Sequence, residues 1–462
     1  MHNSNRNPHK FQQNRIQNNI QNSSTHSFFN LLTCDALLNK VESLLPEHRE
    51  RLYPPTETLS MFLAQAMGSD RSCRNIVNQT AVQKVAIGLP PGSTFTGGYC
   101  KARKRLPKDL ISQVTCEVGH MIDQHIPVNW RWKKRRVRLI DGTTVTMPDT
   151  PENQAVFPQQ GAQKPGLGFP ISRLVAVTCL ASGSLLNVAI GRFNGKGSDE
   201  QTLLRSIQNT FEAGDIVMGD AFFATYFFIM DMQAKGVDIV MEQNGARKRS
   251  TDFRRGCKLG KKDHLIIINK PKKCPYWMSP ETYENAPASV TVRELKVDGK
   301  VLVTTLTCPK SATKVELKEL YKSRWNIELD IRHIKDTMGM NILSCKTPEM
   351  AIKEIWIYLL AYNLIRLLMA QSALLADIIP RTISFKHCLQ LWVTAVQTLD
   401  LMDNDQLNSL FILMNQQIVG KRPGRIEPRA IKRRPKAFPL LMKPRAEARA
   451  QVRKNGHPKK LK

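Results

Sequence analysis

Residues 321–335, YKSRWNIELDIRHIK, combine one central carboxylate with several cations at helical spacing. When the stretch is placed on a helix at 100° per residue, one stripe about 100° wide contains a carboxylate together with cationic and aromatic side chains, which can bind metal ions or phosphate groups. These are Tyr321, Arg324, Trp325, Glu328, Arg332 and Lys335. The neighbouring acids Glu319 and Asp330 face the opposite side of the helix. Glu328 is therefore the single carboxylate on a basic stripe.

Two interpretations of the stripe remain open on the helix alone. In the first, Arg324–Glu328 and Glu328–Arg332 are i,i+4 ion pairs, each of which stabilises an exposed helix by about 0.2–0.5 kcal/mol. This interpretation leaves Lys335 unexplained. In the second, Glu328 binds metal ions and the surrounding cations bind phosphate groups. A partner site elsewhere in the sequence is needed to choose between them.

Carboxylates at the ends of buried strands are the candidates for that partner site. A metal-dependent phosphoryl-transfer centre needs two or three converging carboxylates, which hold two Mg²⁺ ions roughly 3.5–4 Å apart. Asp141 follows the apolar run VRLI, and Asp220 follows the run IVMG. Taken singly, each fits a structural or a metal-binding role equally well. Other acids nearby are better explained as caps, loop residues or strand openings: Asp149, Asp199, Glu200 and Asp215.

The segments around these acids predict a mixed α/β order. Five runs have the pattern of strands: 137–145, 173–183, 185–193, 215–220 and 237–243. Asp141 and Gly142 are expected to break the first run. Helices are expected over 198–213, over 225–235, and from Thr313, which has capping-box spacing to Glu316, to just before Gly339.

The formal net charge of +29 points to a polyanionic partner. The excess is uneven, because residues 421–462 carry sixteen Lys and Arg against two Glu. Further basic clusters lie at 101–108, 131–138 and 247–262. Nucleic acid is the leading candidate for the partner, and a membrane surface is the second.

Length and composition predict several domains. A chain of 462 residues exceeds the size at which single cores stop growing, and 42% hydrophobic content suffices for packed cores. The predicted order is a disordered polar leader (1–27), a helical domain (28–130), an α/β domain (131–375) with a β insertion at about 244–310, C-terminal helices (376–418) and a basic tail (419–462).

The ten cysteines are scattered, without a C-x-x-C pair or a His pair at zinc-ligand spacing. Neither a disulfide framework nor a zinc site is therefore expected, and a reducing cytoplasm is the expected compartment. The apolar run 355–369 is interrupted by Asn363 and Arg366 and, at about 15 residues, is too short to span a bilayer. We expect a buried core helix there and no membrane association.

Tyr321-x2-Arg324-x3-Glu328-x6-Lys335 resembles the YREK signature of the DDE transposases of the insertion sequence four family. The resemblance spans most of residues 95–440. It also includes YCKARKRLP (99–107), LIDGTTV (139–145), KPGLGFP with the following strand (164–177), GDIVMGDAFF (214–223) and GRIEPRAIKRRPK (424–436).

The resemblance implies a ribonuclease H-like catalytic core over 131–375, interrupted by a β-rich insertion before the last catalytic helix, with a DNA-binding domain at 28–130. Asp141, Asp220 and Glu328 match the catalytic acids that hold the metal ions. Two Mg²⁺ ions are expected, and Mn²⁺ is an expected substitute.

The resemblance assigns DNA binding to residues on the same helical stripe. Tyr321, Arg324 and Lys335 match residues that grip DNA near the reacting phosphate, and Arg332 falls where relatives often carry a basic residue. Relatives also use a Trp of the insertion to hold a flipped base. Trp277 is a candidate for that role, with core packing as the favoured alternative.

The implied activity is cut-and-paste transposition, in which the element ends are cleaved and the freed 3′-hydroxyl is joined to target DNA. Double-stranded DNA, a homodimer in the synaptic complex, and a prokaryotic, nucleoid-associated cytoplasmic location belong to the same expectation. Two rival interpretations stay open. One is a ribonuclease H-like nuclease that cuts without joining, and the other is an inactivated relative that only binds DNA.

Overall fold

The computed structural model describes residues 43–45, 53–86, 88–90, 92–395, 404–419 and 442–456. The predicted polar leader (1–27) and most of the predicted basic tail lie outside the described residues. The described part of the chain is a mixed α/β structure, as the sequence predicts, in which helical segments precede and follow a large sheet.

The sheet has nine strands in the order β3-β2-β1-β4-β5-β9-β8-β7-β6. β1–β3 form an antiparallel meander, and β4 and β5 run parallel to β1. β6–β9 are antiparallel and extend the sheet from β5. The strands are β1 (Val137–Thr146), β2 (Ile171–Cys179), β3 (Leu185–Arg192), β4 (Ile216–Gly219), β5 (Asp238–Glu242), β6 (Cys257–Gly260), β7 (Asp263–Asn269), β8 (Ser289–Val297) and β9 (Lys300–Thr304).

Helices surround the sheet along the chain. Those before and within it are α1 (Pro55–Met67), α2 (Cys73–Ala86), α3 (Gly97–Arg105), α4 (Lys108–His125), α5 (Pro151–Val156), α6 (Glu200–Ser206), α7 (Tyr226–Ala234), α8 (Gly245–Lys248) and α9 (Pro280–Asn285). Those after it are α10 (Lys314–Lys322), α11 (Trp325–Arg332), α12 (Pro348–Ala376), α13 (Phe385–Ala395), α14 (Asn404–Asn415) and α15 (Arg445–Asn455).

β1 is one uninterrupted strand, so the expectation that Asp141 and Gly142 break it is wrong. Both residues pair with β2, opposite Ala176 and Val175. The low strand propensity of Asp and Gly is overridden because β2 completes the ladder along the whole of β1 and the apolar residues on either side are buried. Asp141 is therefore held within a strand by its neighbours rather than at a flexible end.

The helix predicted from Thr313 begins as expected but is not continuous. The Thr313 and Glu316 side chains each accept a hydrogen bond from the other's backbone amide, which is a capping box. The chain then forms α10, a break at Ser323 and Arg324, α11, and a π-helical turn over His333–Thr337. Side chains after the break and in the wider π turn therefore depart from a regular 100° wheel.

The longest helix of the described residues, α12, is the buried core helix that the apolar run predicts. Its length and composition alone would allow it to cross a membrane, but 89% of its most apolar 18-residue window is buried inside the protein. The Asn363 amide donates to the carbonyl groups of Thr115 on α4 and Leu185 on β3, each at 2.8 Å. Its polar side chains thus bind neighbouring elements of the fold.

The N-terminal helices pack directly on the α/β domain, with α4 against both α12 and β3. Gln65 on α1 accepts hydrogen bonds from Tyr99 at 2.8 Å and Arg103 at 3.3 Å, which ties α1 to α3. Arg71, between α1 and α2, donates to the Gly339 carbonyl at 3.2 Å. The loop after α1 therefore contacts the turn that follows the π-helical segment.

A helix, α15, lies within the region predicted only as a basic tail. The Arg445 guanidinium lies 2.9 Å from the Asp149 carboxylate and 4.4 Å from the centre of the Phe169 ring. Because these contacts join residues far apart in sequence, composition alone did not predict them. They attach α15 to the loops that follow β1 and α5.

Candidate active site

The pairing of β1 with β4 places Asp141 and Asp220 side by side. The two strands are parallel, and Leu139 lies opposite Met218. Asp141 and Asp220 each lie two residues further along, so both side chains leave the same face of the sheet. The Asp141 side chain is 20% exposed. Two of the acids predicted from the sequence are therefore brought together.

The third acid, Glu328, reaches the same place from α11, which packs on β1. Arg324 Nη2 donates to Glu328 Oε1 at 2.6 Å, and Arg324 Nη1 lies 3.8 Å from Asp141 Oδ2. One guanidinium thus joins the acid of the helix to an acid of the sheet. The predicted Arg324–Glu328 pair forms. No Glu328–Arg332 pair is present among the ion pairs of the described residues, and Arg332 is exposed.

Lys335 lies in the π-helical turn and contacts the same strand. Its Nζ donates to Thr143 Oγ1 at 3.1 Å, and Thr143 shares a strand face with Asp141. Burial lowers the pKa of Lys335. A nearby anion such as a phosphate would favour its charged form.

Tyr321 is a buried residue of α10 at the edge of this site. Burial raises its pKa to about 12, so the hydroxyl is protonated at neutral pH. The Lys300 ammonium lies 5.7 Å from the centre of its ring. The hydroxyl is thus a hydrogen-bond donor beside a cation.

The acids lie within each other's electrostatic field. Burial raises the pKa of Asp141 to about 6, and repulsion from Asp220 and Glu328 acts in the same direction. The Gly142 amide, which donates to Asp141 Oδ1 at 2.8 Å, and Arg324 oppose the rise without cancelling it. Burial therefore disfavours the charged form of Asp141 more than Gly142 and Arg324 favour it.

The donor set fits a divalent cation in its chemistry, although the side chains are not gathered around one point. Mg²⁺ and Mn²⁺ prefer carboxylate oxygens. In the part of the chain that the structure describes, no three His, Cys, Asp or Glu side chains stand close enough together to hold one metal ion. The Arg324 guanidinium places its positive charge between Asp141 and Glu328, where a bound cation would compensate the same two carboxylates.

Glu200, for which the sequence predicts a helix-capping role, contacts β1 on the face opposite Asp141, because Gly142 and Asp141 are consecutive residues of the strand. The capping role belongs to Asp199, whose side chain accepts a hydrogen bond from the Thr202 amide. The Glu200 carboxylate lies against Gly142, where an added Cβ would stand 2.2 Å from Glu200 Cδ. Burial raises the pKa of Glu200, and Asp220 adds to the rise. No local sequence spacing predicts this contact, because β2 and β3 lie between Gly142 on β1 and Glu200 on α6 along the chain.

The other acids have structural partners. Asp215 is buried and accepts a hydrogen bond from Arg138 Nε at 3.0 Å. Asp149 binds Arg445 on α15. Both carboxylates therefore form structural ion pairs, as the sequence interpretation predicts.

Trp277 packs against the core in the structure. Its ring meets Phe227 edge-on at 5.8 Å, and the Arg205 guanidinium stacks over it at 3.8 Å. Trp277 is partly buried against the main apolar cluster. These contacts agree with the core-packing interpretation of this residue.

Comparison with known families identifies the class of protein. Residues 132–364, just over half of the chain, match the family described as Transposase DDE domain. The chain belongs to this family, and the resemblance to DDE transposases of the insertion sequence four type is confirmed. It is a DNA transposase, an enzyme that cleaves DNA and transfers the cut strands.

A relative matches nearly the full length. Transposase InsG for insertion sequence element IS4, from Escherichia coli (strain K12), is 29% identical over 419 residues, which are 86% of this chain and 89% of that protein. Among solved structures, the chain is similar to piggyBac transposase in a synaptic complex with hairpin DNA. The TM-score is 0.42, with 9% identity and 87% of each chain covered. A likeness at that level supports no conclusion about fold or mechanism.

Proposed function

We propose that the chain catalyses cut-and-paste transposition with Asp141, Asp220 and Glu328 as its catalytic acids. The observation that carries the proposal is the contact of one guanidinium with two of these acids. Arg324 joins Glu328 at 2.6 Å and approaches Asp141 at 3.8 Å, while strand pairing sets Asp220 beside Asp141. Acids from three distant parts of the sequence thus lie near one guanidinium, which supports the proposal.

The three acids are proposed to hold two divalent metal ions, with Mg²⁺ as the expected ion and Mn²⁺ as a substitute. When bound, such ions activate the attacking oxygen and stabilise charge on the phosphoryl oxygens. Backbone amides orient the acids: Gly142 donates to Asp141 at 2.8 Å, and Phe222 donates to Asp220 at 2.9 Å. In this proposal Arg324 turns from Glu328 toward a phosphate when DNA enters.

Tyr321, Arg324, Arg332 and Lys335 are proposed to bind DNA near the reacting phosphate. Charge develops on the phosphoryl oxygens during cleavage and joining, and positioned cations stabilise it. Arg324 and Lys335 both contact β1 beside the acids, which supports this role. Arg332 is exposed and faces solvent, from which a phosphate backbone approaches.

We infer that β1–β5, in the order 3-2-1-4-5, form a ribonuclease H-like core and that β6–β9 are the insertion before the catalytic helix. The antiparallel meander followed by two parallel strands supports this assignment. The N-terminal helices within 28–130 are proposed to bind DNA. The C-terminal helices (376–418) and the basic tail (419–462) are proposed to be separate regions that follow the core.

Double-stranded DNA is the proposed partner, both as the element ends and as the target. The net charge of +29 supports a large phosphate-binding surface, because phosphate contacts contribute most of the sequence-independent affinity for DNA. A homodimer on paired ends and a cytoplasmic, nucleoid-associated location in a prokaryote complete the proposal.

A strand-transfer assay tests the proposed function. The protein is incubated with Mg²⁺, a target plasmid and a duplex taken from the inverted repeat that flanks its gene, labelled on the strand that carries the 3′-hydroxyl end. Glu328→Gln preserves the size of the side chain and should abolish cleavage and joining while the duplex is still bound. Glu319→Gln is the matched control, because Glu319 is exposed and its one ion pair among the described residues is with Lys322 at 2.8 Å. Full activity of Glu328→Gln would refute the assignment, and cleavage without joined product would leave only a nuclease.

A further inference from the structure

We propose that Lys248 and Lys300, held by Glu242 beside Asp220, form a subsite that binds a backbone phosphate of the DNA at the reacting end. This inference rests on the proposed function, because it adds a DNA contact to the same site. The three residues of the subsite lie outside residues 321–335. Their sequence context indicates only a strand end, a short basic run and a turn between two strands.

Strand pairing places Glu242 next to Asp220. β4 and β5 are parallel, and Met218 lies opposite Val240. Asp220 and Glu242 each lie two residues further along, so their side chains leave the same face of the sheet. Asp141 points from this face as well, because β1 is the parallel neighbour of β4. Glu242 is therefore the third acid in a row that crosses β1, β4 and β5.

Two lysines converge on Glu242. Lys248 Nζ lies 2.9 Å from Glu242 Oε1, and Lys300 Nζ lies 3.0 Å from Glu242 Oε2. Lys248 is the last residue of α8, and Lys300 is the first residue of β9. Burial would raise the pKa of Glu242, but the two lysines outweigh it and lower the pKa. The carboxylate is therefore charged at neutral pH, and the three groups together carry one net positive charge.

Contacts with neighbouring residues hold both lysines at the edge of the site. Asn244, which caps α8, donates from Nδ2 to the Ala221 carbonyl in the loop after β4, at 3.4 Å. Lys248 lies one turn further along the chain and donates its amide to the Asn244 carbonyl at 2.7 Å. The Lys300 ammonium lies 5.7 Å from the centre of the Tyr321 ring. The two cations therefore border the acids on the side of β5.

Exposure separates this cluster from a purely structural one. Asp330 also binds two cations, but both are guanidinium groups no more than 12% exposed. The side chains of Lys248 and Lys300 are 39% and 52% exposed. The positive ends of the cluster therefore face solvent, from which a phosphate backbone can approach.

The position of the cluster predicts which phosphate it binds. Neighbouring strands of a sheet lie about 4.8 Å apart, and successive phosphates of one DNA strand advance about 3.4 Å along the duplex axis. When the length of the lysine side chains is included, the bound phosphate lies within about three positions of the reacting phosphate. The subsite would therefore position the DNA end over the acids.

The competing explanation is that the lysines only neutralise Glu242. In that case substitution of either lysine alters an ion pair of the protein and leaves its DNA contacts unchanged. Lys133 provides the matched control, because its side chain is 35% exposed and its Nζ lies 2.7 Å from Glu316. Glu316 is in the first turn of α10, whereas Tyr321 is near the other end of that helix.

The salt dependence of DNA binding by the full chain separates the two explanations. The logarithm of the binding constant falls with the logarithm of the salt concentration, with a slope of about −0.9 for each phosphate that the protein neutralises. With the inverted-repeat duplex, and without Mg²⁺ so that the DNA stays intact, Lys248→Gln and Lys300→Gln should each reduce this slope by about 0.9. Lys300→Arg retains the charge and should retain the slope. Lys133→Gln should bind as the unmodified chain does, and an equal reduction in that variant would overturn the proposal.

Phosphate ethylation gives an independent test that locates the contact. Ethylation removes the charge of one phosphate, so it should weaken binding of the unmodified chain at the position that the subsite contacts. The double variant Lys248→Gln/Lys300→Gln should lose this sensitivity at a position within about three phosphates of the cleaved one. The same ethylation pattern for both proteins would overturn the proposal.

Lys335→Gln distinguishes failure of this inference from failure of the proposed function. A reduced slope in Lys335→Gln with unchanged slopes in Lys248→Gln and Lys300→Gln would overturn the subsite alone. Unchanged slopes in all three variants would overturn the proposed DNA contacts beside the acids. Lower thermal stability of Lys248→Gln and Lys300→Gln, with unchanged slopes, would establish the structural explanation instead.

Discussion

Asp330 is the acid of α11 that we expect to tolerate substitution least. Its carboxylate is fully buried and accepts hydrogen bonds from Arg366 at 2.6 Å, from two nitrogens of Arg381, each at 2.9 Å, and from Thr178 at 3.2 Å. These partners belong to α12, to the turn after it and to β2. Asp330 lies two residues beyond Glu328, so the network also holds the helix that carries the proposed catalytic acid.

The magnitude follows from the two buried guanidinium groups. Removing one partner of a buried ion pair costs about 3–5 kcal/mol, because the other charge remains buried without compensation. Burial alone would raise the pKa of Asp330, but Arg381 and Arg366 outweigh it and hold the pKa below its usual range. The carboxylate is therefore charged at neutral pH, and its contribution to stability is lost only as the pH falls through that lowered pKa. Asp330→Asn retains the size of the side chain and loses its charge, so we expect the free energy of unfolding to fall by about 3 kcal/mol.

Thermal unfolding at pH 7 measures this loss. A change of 1 kcal/mol shifts the melting temperature by roughly 2–4 °C for domains of 150–250 residues, so Asp330→Asn should lower it by roughly 6–12 °C. Asp298→Asn is the control, because Asp298 forms an exposed ion pair with Lys318 at 2.7 Å and should melt as the unmodified chain does. Equal melting temperatures for the two variants would refute the argument that this network anchors α11.

Three further predictions use other contacts. Gly119→Ala would place a Cβ 1.8 Å from a backbone oxygen of β3, so we expect it to lower the free energy of unfolding by more than the roughly 1–3 kcal/mol that is typical of overpacking. Gly97→Ala is the control, because a Cβ added there meets open space. Equal melting temperatures for the two variants would contradict this prediction. Asp141→Asn should raise the melting temperature of the metal-free protein at pH 7.5 but not at pH 4.5. The reason is that the pKa of Asp141 is about 6 in the folded protein, above its value in the unfolded chain, so the charged carboxylate opposes folding at pH 7.5. A lower melting temperature of Asp141→Asn at pH 7.5 would refute this prediction. Arg71→Ala should accelerate hydrogen exchange around Gly339, and unchanged exchange would show that the contact is dispensable.

Elements whose determinants are adjacent in sequence are predictable from local signals. The Thr313–Glu316 capping box forms as its spacing predicts. Gly183, with a φ of +78°, makes the turn between β2 and β3 where the Gly-Ser pair indicates one. The buried run before Asp220 forms β4. In each case the determining interaction lies within a few residues, so neither topology nor packing is needed to infer it.

Contacts between distant segments explain what the sequence does not predict. The strand through Asp141 continues because β2 pairs with it, although the local residues indicate a break. Glu200 meets Gly142 only after β2, β3 and α6 have folded back on β1. The helical wheel correctly turns Asp330 away from the basic stripe, but its arginine partners lie beyond the segment that the wheel describes.

The basic stripe itself is better explained by the strand than by the wheel. A break at Ser323 and a π turn interrupt the regular helix, yet Lys335 still meets Thr143 while Arg324 approaches Asp141. Because residues two apart on a strand share a face, both cations lie along one side of β1 next to the acids. Helical ion pairing accounts for the Arg324–Glu328 contact alone. Both cations contact β1, which is the arrangement required if they bind a phosphate backbone that lies across the acids.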